Sequence, residues 1–108
     1  MWNDNKNSLY EFIWQSHVGI KGFVKDNTKQ AISNALIKVS YESTNDHKYY
    51  LIEHDVKTTL DGEYWRLLMP GNYEIWAEKD SLRSRKQRIK LLRMSPYTEA
   101  FLFNFTVY

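Results

Sequence analysis

Asp61-Gly62-Glu63-Tyr64-Trp65-Arg66-Leu67-Leu68-Met69-Pro70-Gly71-Asn72-Tyr73 is the stretch that decides the fold. Two turn signals, Asp61-Gly62 and Pro70-Gly71, bracket it. Asp-Gly supplies a residue that takes positive φ without penalty, and it reads as a hairpin turn. Between the turns, Glu63 to Leu68 is aromatic and aliphatic and reads as a strand. After the second turn, Tyr73, Ile75 and Ala77 alternate with Glu74, Trp76 and Glu78. That period of two places the odd-numbered residues inward and Trp76 on the outside. Within the bracketed strand, aromatic burial places Tyr64 or Trp65 in the core and Arg66 at the surface.

The same pattern extends in both directions. Ile20 to Lys25 is a strand followed by the turn Asp26-Asn27-Thr28-Lys29. Ala35, Ile37, Val39 and Tyr41 alternate with Leu36, Lys38 and Ser40, and the polar turn Ser43-Thr44-Asn45-Asp46 follows. Tyr49 to Thr59 reads as one or two strands. Arg88 to Arg93 sets Ile89 and Leu91 against Arg88 and Lys90, and Phe101, Phe103, Phe105 and Val107 alternate with Leu102, Asn104 and Thr106. About seven short strands separated by turn signals predict an all-β antiparallel sandwich or small barrel. The first residues differ. Ser8-Leu9-Tyr10-Glu11 is a capping-box pattern, and Leu9, Phe12 and Ile13 share one helical face. One short helix over 9–17 is predicted, ended by Gly19.

At 108 residues the chain makes one core, with roughly two-thirds of its unfolded surface buried. It has no cysteine, which removes thiolate nucleophiles, iron–sulfur ligands and Cys-based zinc sites. Hydrophobic residues make up 43 % and charged residues 26 %, a globular balance. No apolar run approaches the ~18 residues of a membrane span. The start, Met1-Trp2-Asn3-Asp4-Asn5, has no apolar signal core. A net charge of +2 names no partner by itself.

Three stretches together resemble a known family: Asn7-Ser8-Leu9 through Gly19-Ile20-Lys21-Gly22-Phe23-Val24-Lys25-Asp26, then Ile32-Ser33-Asn34-Ala35, then the Asp61 to Tyr73 run. They are similar to the transthyretin-like, or carboxypeptidase regulatory-like, domain that follows the catalytic domain in zinc metallocarboxypeptidases of the carboxypeptidase E, N, D, M and Z type. The resemblance covers residues 5–77 well. It departs at Lys29-Gln30-Ala31, where the family has Gly-x-Pro, and at Glu78-Lys79-Asp80-Ser81-Leu82, where it has a Gly-Tyr turn. The resemblance implies a transthyretin-like sandwich over 19–108. It implies that residues 1–18 are the last helix and linker of a preceding catalytic domain, and that Leu9, Phe12, Ile13 and Trp14 contact that domain. It also implies a secretory or extracellular location. The family's reaction, zinc-dependent removal of C-terminal Arg or Lys from peptides, would belong to the missing domain, and so would the zinc. A catalytically inactive parent is the alternative, since the deciding residues lie upstream.

The chain itself offers little chemistry. A zinc peptidase site of this kind needs His-x-x-Glu with a distant second His. Three residues after His17, His47 and His54 stand Ile20, Tyr50 and Lys57. Neighbouring strand residues point to opposite faces, so Glu53-His54-Asp55 does not converge on a cation. No Gly-flanked nucleophile elbow is present, and the C-terminal Phe105-Thr106-Val107-Tyr108 lacks the Tyr-Arg-Gly-Ser ending of the related hydroxyisourate hydrolases. The expectation is therefore no catalytic, cofactor-binding or metal-binding residue in this chain.

Three binding features remain. Lys79, Arg83, Arg85, Lys86, Arg88, Lys90 and Arg93 hold seven of the fifteen basic residues, opposed locally by Asp80. They read either as charges that guard a sheet edge or as contacts to an anionic surface through Arg83, Arg85, Lys86, Arg88, Lys90 and Arg93: a glycosaminoglycan, acidic lipid or acidic protein. Nucleic acid is not expected, because stacking aromatics do not interleave the tract. Asn104-Phe105-Thr106 is an N-glycosylation sequon with Asn104 on the outer side of its strand. Trp14 and Trp76 suit interdomain docking. An uncovered helix 9–17 predicts weak self-association of the fragment.

Overall fold

The computed structural model describes residues 18–92 and 100–108. The predicted helix over 9–17, with Leu9, Phe12, Ile13 and Trp14, lies outside the described residues, and so does Arg93.

The described chain forms β1 (Val18–Asp26), β2 (Leu36–Glu42), β3 (Tyr49–Leu51), β4 (Val56–Lys57), β5 (Glu63–Leu68), β6 (Gly71–Lys79), β7 (Leu82–Arg83), β8 (Gln87–Leu91), β9 (Phe101–Leu102) and β10 (Phe105–Val107). Short strands share rows. β9 and β10 both lie on one side of β1, and β5 lies on the other. In the second sheet β3 and β4 flank β2, β6 pairs with β2, and β7 and β8 flank β6. The result is a sandwich of a three-row and a four-row sheet, seven rows in all, as the turn spacing predicts. The Tyr49 to Thr59 stretch resolves into two strands, β3 and β4, broken at Ile52–Asp55.

The inward face of each strand follows period two. Ile20 and Val24 of β1 and Tyr64 and Leu68 of β5 meet Ile37 and Val39 of β2 and Tyr73, Ile75 and Ala77 of β6, with Leu91, Phe105 and Val107 closing the core. Burying each of the large side chains is worth roughly 1.5–3 kcal/mol. Those contributions hold the two sheets together, and at one edge the Arg83 and Tyr108 backbones add a reciprocal pair of hydrogen bonds between them at 3.3 and 3.1 Å.

Two features depart from the sequence expectation. The Asp61-Gly62 turn is not a hairpin within one sheet, because β4 pairs with β2 and β5 pairs with β1. The turn closes tightly: the Gly62 N–H donates to the Thr59 carbonyl at 3.0 Å and the Thr59 N–H to the Glu63 carbonyl at 2.8 Å. Its flanking strands then diverge, and the chain passes from one sheet to the other. Gly62 has φ 79°, and a Cβ there would stand 2.7 Å from the Val24 carbonyl oxygen; only glycine fits. Thr58 anchors the crossing. Its buried hydroxyl donates to the Ile32 carbonyl at 2.6 Å and accepts the Ala35 N–H at 2.9 Å.

The second departure is strand direction. β9 and β10 run parallel to β1, in the registers Ile20 with Phe101 and Val24 with Phe105. Parallel pairing needs a crossover rather than a tight turn. Here the chain leaves β8 beside Gly71, at the β5–β6 end of the sandwich, and β1 begins at that same end, Val18 opposite Leu68.

Candidate interaction surfaces

The outer face of the four-row sheet is a charge ladder. Across it run the rows Tyr49, Glu42, Asn72, Lys90 and then Leu51, Ser40, Glu74, Arg88. The Arg88 guanidinium donates to Glu74 at 3.1 Å and stacks over the Tyr49 ring at 5.3 Å. The bond to Glu74 holds Arg88 above its ordinary pKa, with Tyr49 adding to the effect. Arg83 pairs with Glu78 at 3.3 Å. Lys86 lies over the Trp76 ring at 4.5 Å, the geometry of a cation–π contact. The basic tract therefore sits on the β7–β8 edge row. Arg88 and Lys90 are exposed on one side of it, as the alternation predicts. Arg83 and Arg88 are matched by glutamates of β6, so the edge carries less free positive charge than the tract alone shows. Arg85 points elsewhere, into a shallow depression with Asn104, Thr106 and Tyr108.

Trp76 departs from its expected docking role. It is on the outer side of β6, yet only 6 % exposed. Lys86 covers its ring, and its indole N–H donates to Glu78 at 2.7 Å. An aromatic already covered by its own sheet has little surface left to offer a partner.

Sheet one's outer face has a different character. Phe23, Trp65 and Leu102 lie on it at 40 %, 48 % and 59 % exposure, and Leu67 stands beside Gly19 in the next row. Lys21, Lys25 and Glu63 are interspersed, with Lys25 over the Phe23 ring at 5.8 Å. Gly19 makes a shallow trough: a Cβ there would meet Ala100 at 3.2 Å and the Trp65 ring at 3.7 Å.

Arg66 is the residue the sequence reading misplaced. It is 7 % exposed, facing inward with Tyr64 and Leu68, while Trp65 faces out. The phase of β5 forces this: with Tyr64 and Leu68 inside, period two puts residue 66 inside as well. Glu63, which has to stay wet, sets the same phase and was the available signal. The Arg66 guanidinium donates to the His54 carbonyl, and Asp55 stands near enough to act on its charge. Asp55 also takes Lys38 at 2.8 Å. Burial pulls the Arg66 pKa down and the Asp55 charge opposes the pull. Arg66 Nε and Asp55 Oδ1 are buried without protein partners, so the cluster is not fully satisfied by the protein. Arg66, alone of the cluster, also lines a cleft of about 600 Å³ at the β5–β6 end, together with Tyr41, Ile52, Leu68, Met69 and Tyr73.

The remaining candidates are separate from one another. Asn104 is exposed, and its side-chain oxygen accepts the Phe23 N–H at 2.9 Å, so it bridges the break between β9 and β10. His47 lies 3.9 Å from Glu42 at the cleft mouth, and His54 contributes its backbone to Arg66. Among the described residues, no three His, Asp or Glu side chains group closely enough to hold a metal ion.

The fold recurs in chlorocatechol 1,2-dioxygenase from Pseudomonas putida, with a TM-score of 0.61 and 13 % identity over 87 % of this chain and 61 % of that one. At that identity the likeness is one of fold alone. Sequence relatives are closer. Carboxypeptidase Z of Gallus gallus is 35 % identical over 84 % of this chain and 12 % of that protein. Carboxypeptidase D of Mus musculus is 43 % identical over 70 % of this chain and 5 % of that protein. The chain thus spans a small fraction of the carboxypeptidases it matches. The model of the carboxypeptidase regulatory-like domain matches residues 19–101, from the second residue of β1 to the first of β9, and the chain belongs to that family.

Proposed function

We propose that this chain is the non-catalytic accessory domain of a zinc metallocarboxypeptidase, working in the secretory pathway or outside the cell. A separate catalytic domain of the same polypeptide would hold the zinc and remove C-terminal Arg or Lys. The observation that carries the reading is family membership across 19–101 in relatives that are carboxypeptidases many times longer. The fold suits a support role: a two-sheet sandwich with one outer face of paired charges and another on which Phe23 and Leu102 stand exposed among Lys21, Lys25 and Glu63. On this reading the domain stabilises the catalytic domain by covering part of its surface.

Two measurements test it. The 108-residue chain is expected to release no Arg from a dansylated peptide ending in Arg. Chelator-sensitive release would overturn the non-catalytic assignment. A carboxypeptidase catalytic domain fused ahead of this chain is expected to give more soluble, active enzyme than the same domain alone, and equal yields would overturn the accessory assignment. If the parent is a catalytically inactive family member, the yield test still applies and the activity readout is replaced by solubility.

A further inference from the structure

We propose that Asn104 carries an N-linked glycan, with its first sugar seated in the polar depression formed by Arg85, Gln87, Thr106 and Tyr108. The inference rests on the accessory-domain reading for one thing only, passage of the chain through the secretory pathway.

Only one of the chain's eight asparagines stands two residues ahead of a serine or threonine, the spacing that an N-linked sugar needs. The fold presents that pair. Asn104 and Thr106 are both exposed and Phe105 between them is buried, because neighbouring strand residues point to opposite faces. The two ends of the Asn104 amide have different surroundings. Its oxygen accepts the Phe23 N–H at 2.9 Å. A backbone N–H demands an acceptor there, which fixes which end of the amide is which. Its nitrogen has no protein partner among the described residues. The atom to be modified is thus the one that the fold does not use. Attachment replaces one of the two hydrogens on that nitrogen and leaves the oxygen, so the bond bridging the break between β9 and β10 survives.

The surroundings suit a sugar. The depression beside Asn104 has a volume of about 210 Å³, and Ser84, Arg85, Gln87, Thr106 and Tyr108 line it. Their hydroxyl, amide and guanidinium groups match the donors and acceptors of a sugar's hydroxyl and acetamido groups. The Tyr108 ring, 66 % exposed, offers a flat apolar face to the C–H side of the sugar. Both sheets build the seat. Gln87 Nε2 of β8 donates to the Asn104 carbonyl at 3.1 Å, and the Arg83 and Tyr108 backbones bond each other beside it. The chemistry is a substitution at carbon. The Asn104 amide nitrogen attacks the anomeric carbon of an oligosaccharide carried on a lipid diphosphate. The N–C bond forms, the C–O bond to the diphosphate breaks, the diphosphate leaves with the bonding pair, and the amide nitrogen gives up one proton. A membrane-bound oligosaccharide transferase acts on the chain while it is still extended, so the later burial of Phe105 is no obstacle.

The test is the intact mass of the 108-residue chain secreted behind a leader sequence from a glycosylating eukaryotic cell. The leader supplies translocation, so the result does not depend on where the natural protein works. The mass of one glycan is expected on the chain, removed by peptide N-glycosidase, with position 104 then read as aspartate in the peptide map. Thr106→Ala should abolish the glycan and Thr106→Ser should retain it; the position is exposed, so both variants should fold. The seat is read by nuclear Overhauser spectroscopy on labelled product trimmed to its first N-acetylglucosamine. Contacts from the acetyl methyl to the Tyr108 ring are expected, and the Phe23 amide should keep the exchange protection it has in the bare chain. Secreted chain of bare polypeptide mass overturns the proposal, and so does a glycan that survives Thr106→Ala. A glycan on Asn104 without the Tyr108 contacts, or with Phe23 protection lost, overturns the seat. If the glycan is present while fusion to a catalytic domain gives no gain in yield, the accessory reading fails and the site stands. If the yield rises while the chain stays bare, the site fails and the accessory reading stands.

Discussion

Gly22 is the position where one added carbon atom should cost the most. A Cβ there would lie 1.9 Å from the Phe103 carbonyl oxygen and 2.7 Å from its carbon, both backbone atoms. Reaching ordinary contact distance requires the carbonyl to retreat by roughly 1.5 Å. Three hydrogen bonds converge at that point. The Tyr64 hydroxyl donates to the Phe103 carbonyl at 2.5 Å, the Phe103 N–H donates to the Lys21 carbonyl at 2.8 Å, and the Phe23 N–H donates to Asn104 Oδ1 at 2.9 Å. Losing the two N–H bonds costs about 1 kcal/mol each, and stranding the buried Tyr64 hydroxyl costs about 1–3 kcal/mol. The smaller entropy of the unfolded alanine chain returns about 0.4–1 kcal/mol. The net expectation for Gly22→Ala is a loss of about 3 kcal/mol, from a stability of order 5–15 kcal/mol. Urea unfolding followed by far-ultraviolet circular dichroism measures it, and hydrogen exchange should show β9 and β10 opening first. Gly19→Ala is the control: its Cβ meets Ala100 at 3.2 Å, a contact relieved by a shift of a few tenths of an ångström. In a Tyr64→Phe background the Gly22→Ala loss should shrink, since one of the three bonds is already gone. A Gly22→Ala chain within about 0.5 kcal/mol of the unmodified one would refute this account of how the parallel row is held.

Thr58→Val should cost about 1–3 kcal/mol, read as a lower urea midpoint, because the Ala35 N–H and Ile32 carbonyl both lose a buried partner. Below the ordinary carboxylate value of 3.8, stability should fall. The Asp26 carboxylate is held low by the Thr28 hydroxyl and Asp46 by the Tyr50 hydroxyl, so each contribution is present at neutral pH and lost as pH falls through the depressed folded values; a flat acid titration of stability would contradict it. Tyr64 and Tyr73 have phenols raised by burial above the ordinary 10.0. Their contribution is complete below that pH and lost as pH rises through the folded values, so alkaline unfolding should come later in Tyr64→Phe than in the unmodified chain once their neutral-pH stabilities are matched. Replacing Arg85, Lys86 and Arg88 by Ser should lower the salt needed for elution from heparin. Unchanged elution would leave the tract as a guard of the β7–β8 edge.

Most of the fold was legible because alternation survives wherever one face of a strand is dry. Ile37 and Val39, Ile75 and Ala77, Phe105 and Val107 are all buried as their period predicts. Two things were not legible. Asp61-Gly62 reports a turn, and local chemistry is the same whether the two strands then pair or diverge; the difference is made by Thr58 and Val24, which bind the flanks into different sheets. Strand direction was equally hidden. The return of β9 and β10 alongside β1 depends on Asn104 and Gly22 fitting together across 82 residues of chain, and no periodicity encodes that.

The surfaces were harder to read, for a reason that Arg66 and Trp76 share. Composition ranks a tryptophan as a docking group and an arginine as a surface group, but residence is set by strand phase and by what covers the position. Arg66 is inside because Tyr64 and Leu68 fix the phase of β5, and it is tolerated there because the His54 carbonyl accepts from its guanidinium and the Asp55 charge opposes the cost of burial. Such a cluster is costly to break: removing one partner leaves a buried charge uncompensated, a loss of about 3–5 kcal/mol. Trp76 is covered because Lys86 and Glu78 close over it. Both follow from one division of labour between the sheets. The four-row sheet answers water mainly with its own charges, Glu74 with Arg88 and Glu78 with Arg83. The three-row sheet instead leaves Phe23 and Leu102 exposed among Lys21, Lys25 and Glu63, because its outer positions mix apolar and charged side chains rather than pairing charges across rows.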